Sequence, residues 1–266
     1  MDWMNKKRKL NIYLIIIGVL FLMAVIVPVL SPYPYDAQEN TRQNLGISAE
    51  HWFGTDKFGR DIFTRICYGM RISLLVGLLS SVCCFVIGVV VGAAAGWGHP
   101  AADMVILEAM NIISAVPSML YVILILLVFD AGVWSVIAGI SVSGWIELAK
   151  MVRIETRRIR QMDYCVAARM MGLSFWRILC RYILPNEKEL LIVQTVLLIP
   201  RAIFTEAFLS FLGIGIAAPE ASLGTMIQDA RGLIWQYPSQ MLYPVLVLAG
   251  LILCLQNIGC VIEDES

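Results

Sequence analysis

Charge is scarce in this chain, and histidine scarcer. Of 266 residues only 15% are charged, acids and bases in equal number, and the two histidines, His51 and His99, stand far apart. Neither sits in an H-E-x-x-H pattern, and no G-x-x-x-x-G-K-[ST] phosphate loop occurs. A zinc-hydrolase helix and ATP binding of the P-loop kind are therefore not encoded. Seven cysteines, at 67, 83, 84, 165, 180, 254 and 260, show no metal-ligand or redox spacing. Cys83, Cys84 and Cys254 fall inside apolar runs as small packing residues. Cys67 alone is placed toward an oxidising compartment, so no intramolecular disulfide is expected. No catalytic grouping of serine, histidine or paired carboxylates stands out.

What the chain has instead is apolar length. Apolar residues make up 59% and the mean hydropathy is +0.77. Several runs reach the roughly 20 residues that cross a hydrocarbon core as helix. The reading is an all-α, polytopic membrane protein with six transmembrane helices. The spans fall at about residues 12–30, 73–95, 104–129 (interrupted by Pro117), 133–151, 190–212 and 241–258. Lys6-Lys7-Arg8-Lys9 precedes the first run. That run is too long for a signal peptide and lacks a small-residue cleavage site, so a retained span is the better reading.

Between the spans, residues 31–71 form an extracytoplasmic segment with five acids and five bases. Ile62, Phe63, Ile66 and Met70 share a helical face there, which suggests a short amphipathic helix leading into the second span. Gly88 and Gly92, four apart, make a small-residue face for close helix packing with a partner the sequence does not name. From Lys150 to Lys188 nine basic residues face three acidic ones, which places that stretch in the cytoplasm. With four spans between, the basic beginning is cytoplasmic too, and so is the acidic tail of residues 259–266. Residues 72–258 then form a core of five spans, and residues 1–30 the first span with its basic flank.

Residues 163–186, DYCVAARMMGLSFWRILCRYILPN, are too apolar for a solvated loop and too charged for a span. Asp163 can cap a helix beginning at Tyr164, Gly172 can close it in a left-handed conformation, and Ser174 can cap the next. Pro185 should end that second helix at or before Leu184. The predicted form is helix, elbow, helix, stop, with a surface made to be covered. The plainer alternative is an amphipathic loop lying on the membrane.

Ala167-Ala168, Gly172 and Ile183-Leu184-Pro185-Asn186 resemble the cytoplasmic EAA loop of bacterial ABC-transporter permeases. Two positions depart from the pattern: Val166 stands where the family has glutamate, and Tyr182 where histidine is frequent. Gly54-Thr55-Asp56 followed by Gly59-Arg60-Asp61 resembles the signature before the second span in permeases of the dipeptide, oligopeptide and nickel class. As an ordinary loop, the same residues would be turn and cap positions. Ser210-Phe211-Leu212-Gly213-Ile214-Gly215, Leu223-Gly224 and Asp229-Ala230-Arg231 resemble that class as well. The resemblance covers residues 50–258. It implies a MetI-like fold in the bacterial cytoplasmic (inner) membrane and the pathway subunit of a binding-protein-dependent importer.

The same resemblance implies partners: a second permease, two cytoplasmic ATPases docked through loop 153–188, and an extracytoplasmic substrate-binding protein. ATP and magnesium then belong to the ATPases, with no cofactor on this chain and no enzymatic activity of its own. Ala167, Ala168, Gly172 and Pro185 would shape the coupling elbow, with Met170 and Met171 as apolar docking contacts. Short peptides are the expected cargo, with nickel or a nickel chelate as the alternative, although no histidine, cysteine or carboxylate cluster suggests a metal relay. An intramembrane enzyme or a channel are more distant readings; the first lacks paired catalytic groups, the second leaves the amphipathic loop unexplained.

Glu206 is the best-placed charged residue within a span. It is read either as a pathway residue meeting a substrate amine or cation, or, on the stronger reading, as a structural carboxylate bonded to a neighbouring helix. Arg201, five positions away, has the wrong spacing to pair with it on one helix. Glu108 and Glu147 are placed near span ends and given no role.

Overall fold

The computed structural model describes residues 2–263. Helix α1 (Asp2–Leu30) leads into an irregular segment with one 3-10 turn, Asn40–Arg42. Helix α2 (Ile62–Trp97) follows, then α3 (Pro100–Ser114), α4 (Ser118–Val128), α5 (Val133–Ser143) and α6 (Ile146–Ile159). The stretch after α6 carries α7 (Asp163–Met170), α8 (Phe175–Ile178), a π turn over Leu179–Ile183, and α9 (Leu184–Asn186). Helices α10 (Lys188–Phe211), α11 (Leu223–Ala230) and α12 (Pro238–Glu263) complete it. Among the described residues no strand forms, only one isolated bridge between Thr55 and Asp61. Five segments are long and apolar enough to cross a membrane, or six when the bent pair α3–α4 counts as one span.

Helix α2 is the axis. At 1.5 Å per residue its 36 residues are longer than a hydrocarbon core is thick. The amphipathic turn expected before the second span is continuous with it, because Asp61 caps the helix by accepting the Thr64 N–H at 2.8 Å. Lower down, the expected small-residue face acquires its partner. A Cβ at Gly88, Gly92 or Gly96 would stand 3.0, 2.5 and 2.6 Å from the carbonyl oxygens of Trp145, Ala149 and Arg153 respectively. The repeat of four on both helices lets the backbone of α6 lie directly against α2, the approach that small residues permit in a bilayer. Around this seam pack Val89, Ala93, Leu148 and Val152.

The outer half of α2 packs Ile66, Met70 and Leu74 against Ala24 of α1, Ile203 of α10, and Leu251 and Leu255 of α12. Most of α1 otherwise presents exposed apolar side chains such as Ile15, Leu22 and Val29, as a helix bathed in lipid does.

Two spans are broken. Helices α3 and α4 meet at 77°, where Pro117 starts the new helix without donating an N–H, so the expected kink is a full break. The expected fourth span at 133–151 instead runs on to Ile159, interrupted at Gly144–Trp145. Glu147, expected near a span end, therefore lies midway along it. Pro200, by contrast, sits inside a continuous α10.

The α2–α6 seam leaves no room for a side chain. Gly92→Ala should force the helices apart and lower stability by about 1–3 kcal/mol, read as a drop in thermal stability of the detergent-solubilised protein. Gly250→Ala, on α12 with open space around its Cβ position, should leave it unchanged.

Candidate functional sites: outer clamp, cytoplasmic elbow and central cavity

Ahead of α2 the G-T-D and G-R-D residues form one clamp. Gly54 and Gly59 adopt φ of +76° and +75°, and a Cβ on them would stand 2.3 Å from the Leu45 carbonyl oxygen and 2.0 Å from that of Glu39. Glycine is therefore required twice over, by conformation and by contact. Thr55 donates its hydroxyl to the Arg42 carbonyl and accepts the Leu45 N–H. Asp56 accepts the N–H groups of Phe58 and Arg60 at 2.8 and 3.0 Å, and the Arg60 Nε at 2.7 Å. The other arm of Arg60 donates to Asp229 at 2.8 Å, where Lys57 also sits at 3.2 Å. Buried Arg65 lies 3.7 Å from both acids. Asp61 adds a 2.9 Å contact to His51 Nδ1. The clamp ties the segment before α2 to α11, and Gln240 in the first turn of α12 donates to Asn44 and to the Thr55 carbonyl.

Glu206 is wholly buried beneath this layer. Ser73 of α2 and Ser210 of its own helix donate to its two carboxylate oxygens, each at 2.8 Å. Ser210 in turn accepts the Ile216 N–H, which holds the segment after α10 against the helix. Glu206 is enclosed by α2 and α10, off the wall of the large cavity described below.

At the other end of the molecule the elbow forms at Gly172, with φ of +73°. Arg169 and Ala168 carbonyls accept the Gly172 and Leu173 N–H groups and close the helix end. Two local expectations change. Asp163 is the first residue of α7, with Met162 in the cap position, though an acid there still favours the positive helix end. The chain also stays helical past Pro185. The π turn widens the ladder ahead of it, and in the first turn of α9 its missing N–H costs nothing. The stop comes at Glu187.

One face of this stretch is buried: Cys165 and Ala168 pack with Ile178, Leu179 and Ile183 against Ile159 of α6 and Leu191 of α10. Ala167 and Pro185 face outward. So do Met170 and Met171, 84% and 69% exposed, and Trp176 is exposed too. Val166, at the position of the family's glutamate, is 38% exposed on that same outer side. Behind the elbow lies a group the sequence did not flag. Glu187 is buried, receives only a long 3.4 Å bond from Thr156, and keeps one carboxylate oxygen without a partner among the described residues. Burial first, and the nearby Glu155 second, push its carboxyl up to about 8.

Between clamp and elbow lies a cavity of about 400 Å³. Ser80 and Ser81 of α2, Ser114, Val116, Pro117 and Ser118 at the α3–α4 break, Glu147 and Lys150 of α6, and Arg201 and Thr205 of α10 line it. Each lies near the middle of its candidate span. Arg201 donates to Glu147, and Lys150 reaches Ser114 at 3.4 Å. Arg201, mis-spaced for Glu206, thus pairs with a residue given no role. An ionised side chain at this depth costs about 3 kcal/mol in lipid, which marks the wall as one that meets water or protein. The extended reach of α6 is the signal that sequence periodicity could have supplied: its apolar positions continue through Val152 and Ile159. Among the described residues no group of three histidine, cysteine or acidic side chains could hold a metal ion.

Residues 88–262 match the family described as binding-protein-dependent transport system inner membrane component, and residues 12–46 the N-terminal TM domain of oligopeptide transport permease C. The chain is 43% identical to the dipeptide transport system permease protein DppC of Bacillus subtilis (strain 168), across 84% of this chain and 70% of the relative. It is 38% identical to the oligopeptide transport system permease protein OppC of the same organism, across 87% and 76%. To the DppC of Alkalihalophilus pseudofirmus it is 36% identical, across 97% and 86%.

Glu187 gives a pH signature. Its ordinary value is 4.5, so between about 4.5 and 8 the folded chain holds a proton that the unfolded chain releases, and stability falls as pH rises through that window. Glu187→Gln removes the loss. Its thermal stability relative to the parent should rise from pH 4.5 to about 8 and then level off; a pH-independent difference would show that Glu187 is not held protonated.

Proposed function

The chain belongs to the family of binding-protein-dependent transport system inner membrane components, and we propose that it forms half of the pathway of an ABC importer for short peptides. The names of its relatives, dipeptide and oligopeptide permeases, support the cargo class. A second permease completes the pathway, two cytoplasmic ATPases supply the energy, and an extracytoplasmic binding protein delivers the peptide. Both termini lie in the cytoplasm.

The observation that carries the coupling role is the exposed apolar crest of Met170, Met171 and Trp176 on an elbow whose opposite face is built into the protein core. A surface of this kind is costly in water and suits a groove on another protein, and methionine adapts well to such grooves. Val166 leaves one polar contact of the family's pattern unmade and adds apolar area at the same place.

The route from elbow to pathway is short. Helix α6 runs from the cavity wall at Glu147 and Lys150 to the elbow, and α10 runs back from the elbow to the wall at Arg201. When ATP draws the two ATPases together, the elbows of the paired permeases move with them, and α6 and α10 swing as levers about the α2 seam. The pathway then opens outward, and hydrolysis resets it. The interrupted spans α3–α4 and α5–α6 give the wall places to bend. Glu206, in its serine cage, belongs to the frame rather than to the moving wall.

Replacing Met170 and Met171 together by glutamate should abolish copurification of the ATPases and reduce ATP-driven peptide uptake by tenfold or more, with the subunit still inserted. Undiminished uptake in vesicles holding the full complex would mean that this face is only a linker.

A further inference from the structure

We propose that the central cavity is a binding half-site for the two ends of a zwitterionic peptide: Arg201 and Lys150 take the carboxylate, and Glu147 takes the ammonium group. This rests on the peptide-import reading and gives the pathway a chemical selectivity of its own.

Three observations support it. The wall carries both signs of charge within one cavity, two cations and one acid, each on a segment apolar enough to be a candidate span. With no ligand present, Arg201 and Glu147 satisfy each other, while both remain mostly exposed, at 60% and 72% of the side chain. A pair so placed can open to receive a dipolar molecule and close again behind it, without leaving either charge unpaired. The rest of the wall suits a peptide's backbone. Ser80 and Ser143 both line the cavity, and their hydroxyls are buried without a hydrogen-bond partner among the described residues. Ser81, Ser114 and Ser118 add further small polar groups. Hydroxyls both donate and accept, so they can serve an amide unit in either direction and of any sequence. Apolar wall from Val116, Pro117 and Ile146 leaves room for varied side chains.

Selectivity would then fall on the free termini and not on the side chains. Lys150, set beside Ser114 at the α3–α4 break, makes the wall net positive, so the carboxylate is the more strongly held end.

The test uses vesicles holding the complete complex with its binding protein and both ATPases. ATP-driven uptake of an alanine dipeptide is compared with that of the same dipeptide carrying a C-terminal amide, each rate taken per assembled complex. The comparison is repeated with Arg201→Gln and, separately, with Lys150→Gln. In the parent complex the free acid should be favoured. In each variant the acid-to-amide ratio should fall by about tenfold, the loss expected for one charge-assisted hydrogen bond. The binding protein's own preference is common to all the complexes and cancels. If both peptides slow in parallel, or if neither ratio changes, the half-site is overturned and the pair belongs to the frame or to the partner permease. If the parent complex imports neither peptide, the cargo reading fails instead, and with it the premise of the half-site.

Discussion

The close approach of α2 and α6 is the constraint on which the rest depends. No hydrophobic drive favours one helix pair over another within lipid, so packing must come from fit. Glycines 88, 92 and 96 supply it by letting backbone meet backbone at successive turns. Once that seam is fixed, α6 can carry charged side chains to the middle of the membrane on its other faces. It can also deliver its far end, at Ile159, to the elbow. The cavity wall and the elbow are two ends of one packed element.

The two water-facing ends of the molecule are held by different forces. The outer end is an ionic clamp: two acids, Asp56 and Asp229, meet Arg60, Arg65 and Lys57 across segments distant in sequence. The inner end is apolar, with Cys165, Ala168, Ile178 and Ile183 packed beneath the elbow. An ionic clamp made of fully paired charges is selective about geometry, whereas an apolar bed tolerates sliding. A rigid collar at one end and a yielding bed at the other give the two ends of the molecule different freedom to move.

Much of this was legible in the chain. Runs of apolar residues gave the spans, and the positive-φ elbow at Gly172 followed from one glycine between two apolar stretches. The G-T-D and G-R-D residues were legible as a signature but not as a clamp, because their partner Asp229 lies 169 residues beyond Arg60 and no local pattern points to it. Glu147 was misplaced because hydropathy fades toward the basic end of α6, while the helix itself, held by the glycine seam, does not stop there. Pro185 misled for the opposite reason: a proline stops a helix only where its N–H is needed, and the π turn removed that need. Glu187 carried no signal at all, since its burial comes from the meeting of α6 with the start of α10.

The length of the link between Arg60 and Asp229 has a consequence for how the molecule is made. The segment before α2 is made early, with Arg60 and Arg65 lacking one of their two acids. That acid comes only with α11, after α10 is complete. Until then the first segment is a half-closed latch. The clamp is therefore a late contact, closed by residues made long after the ones it locks.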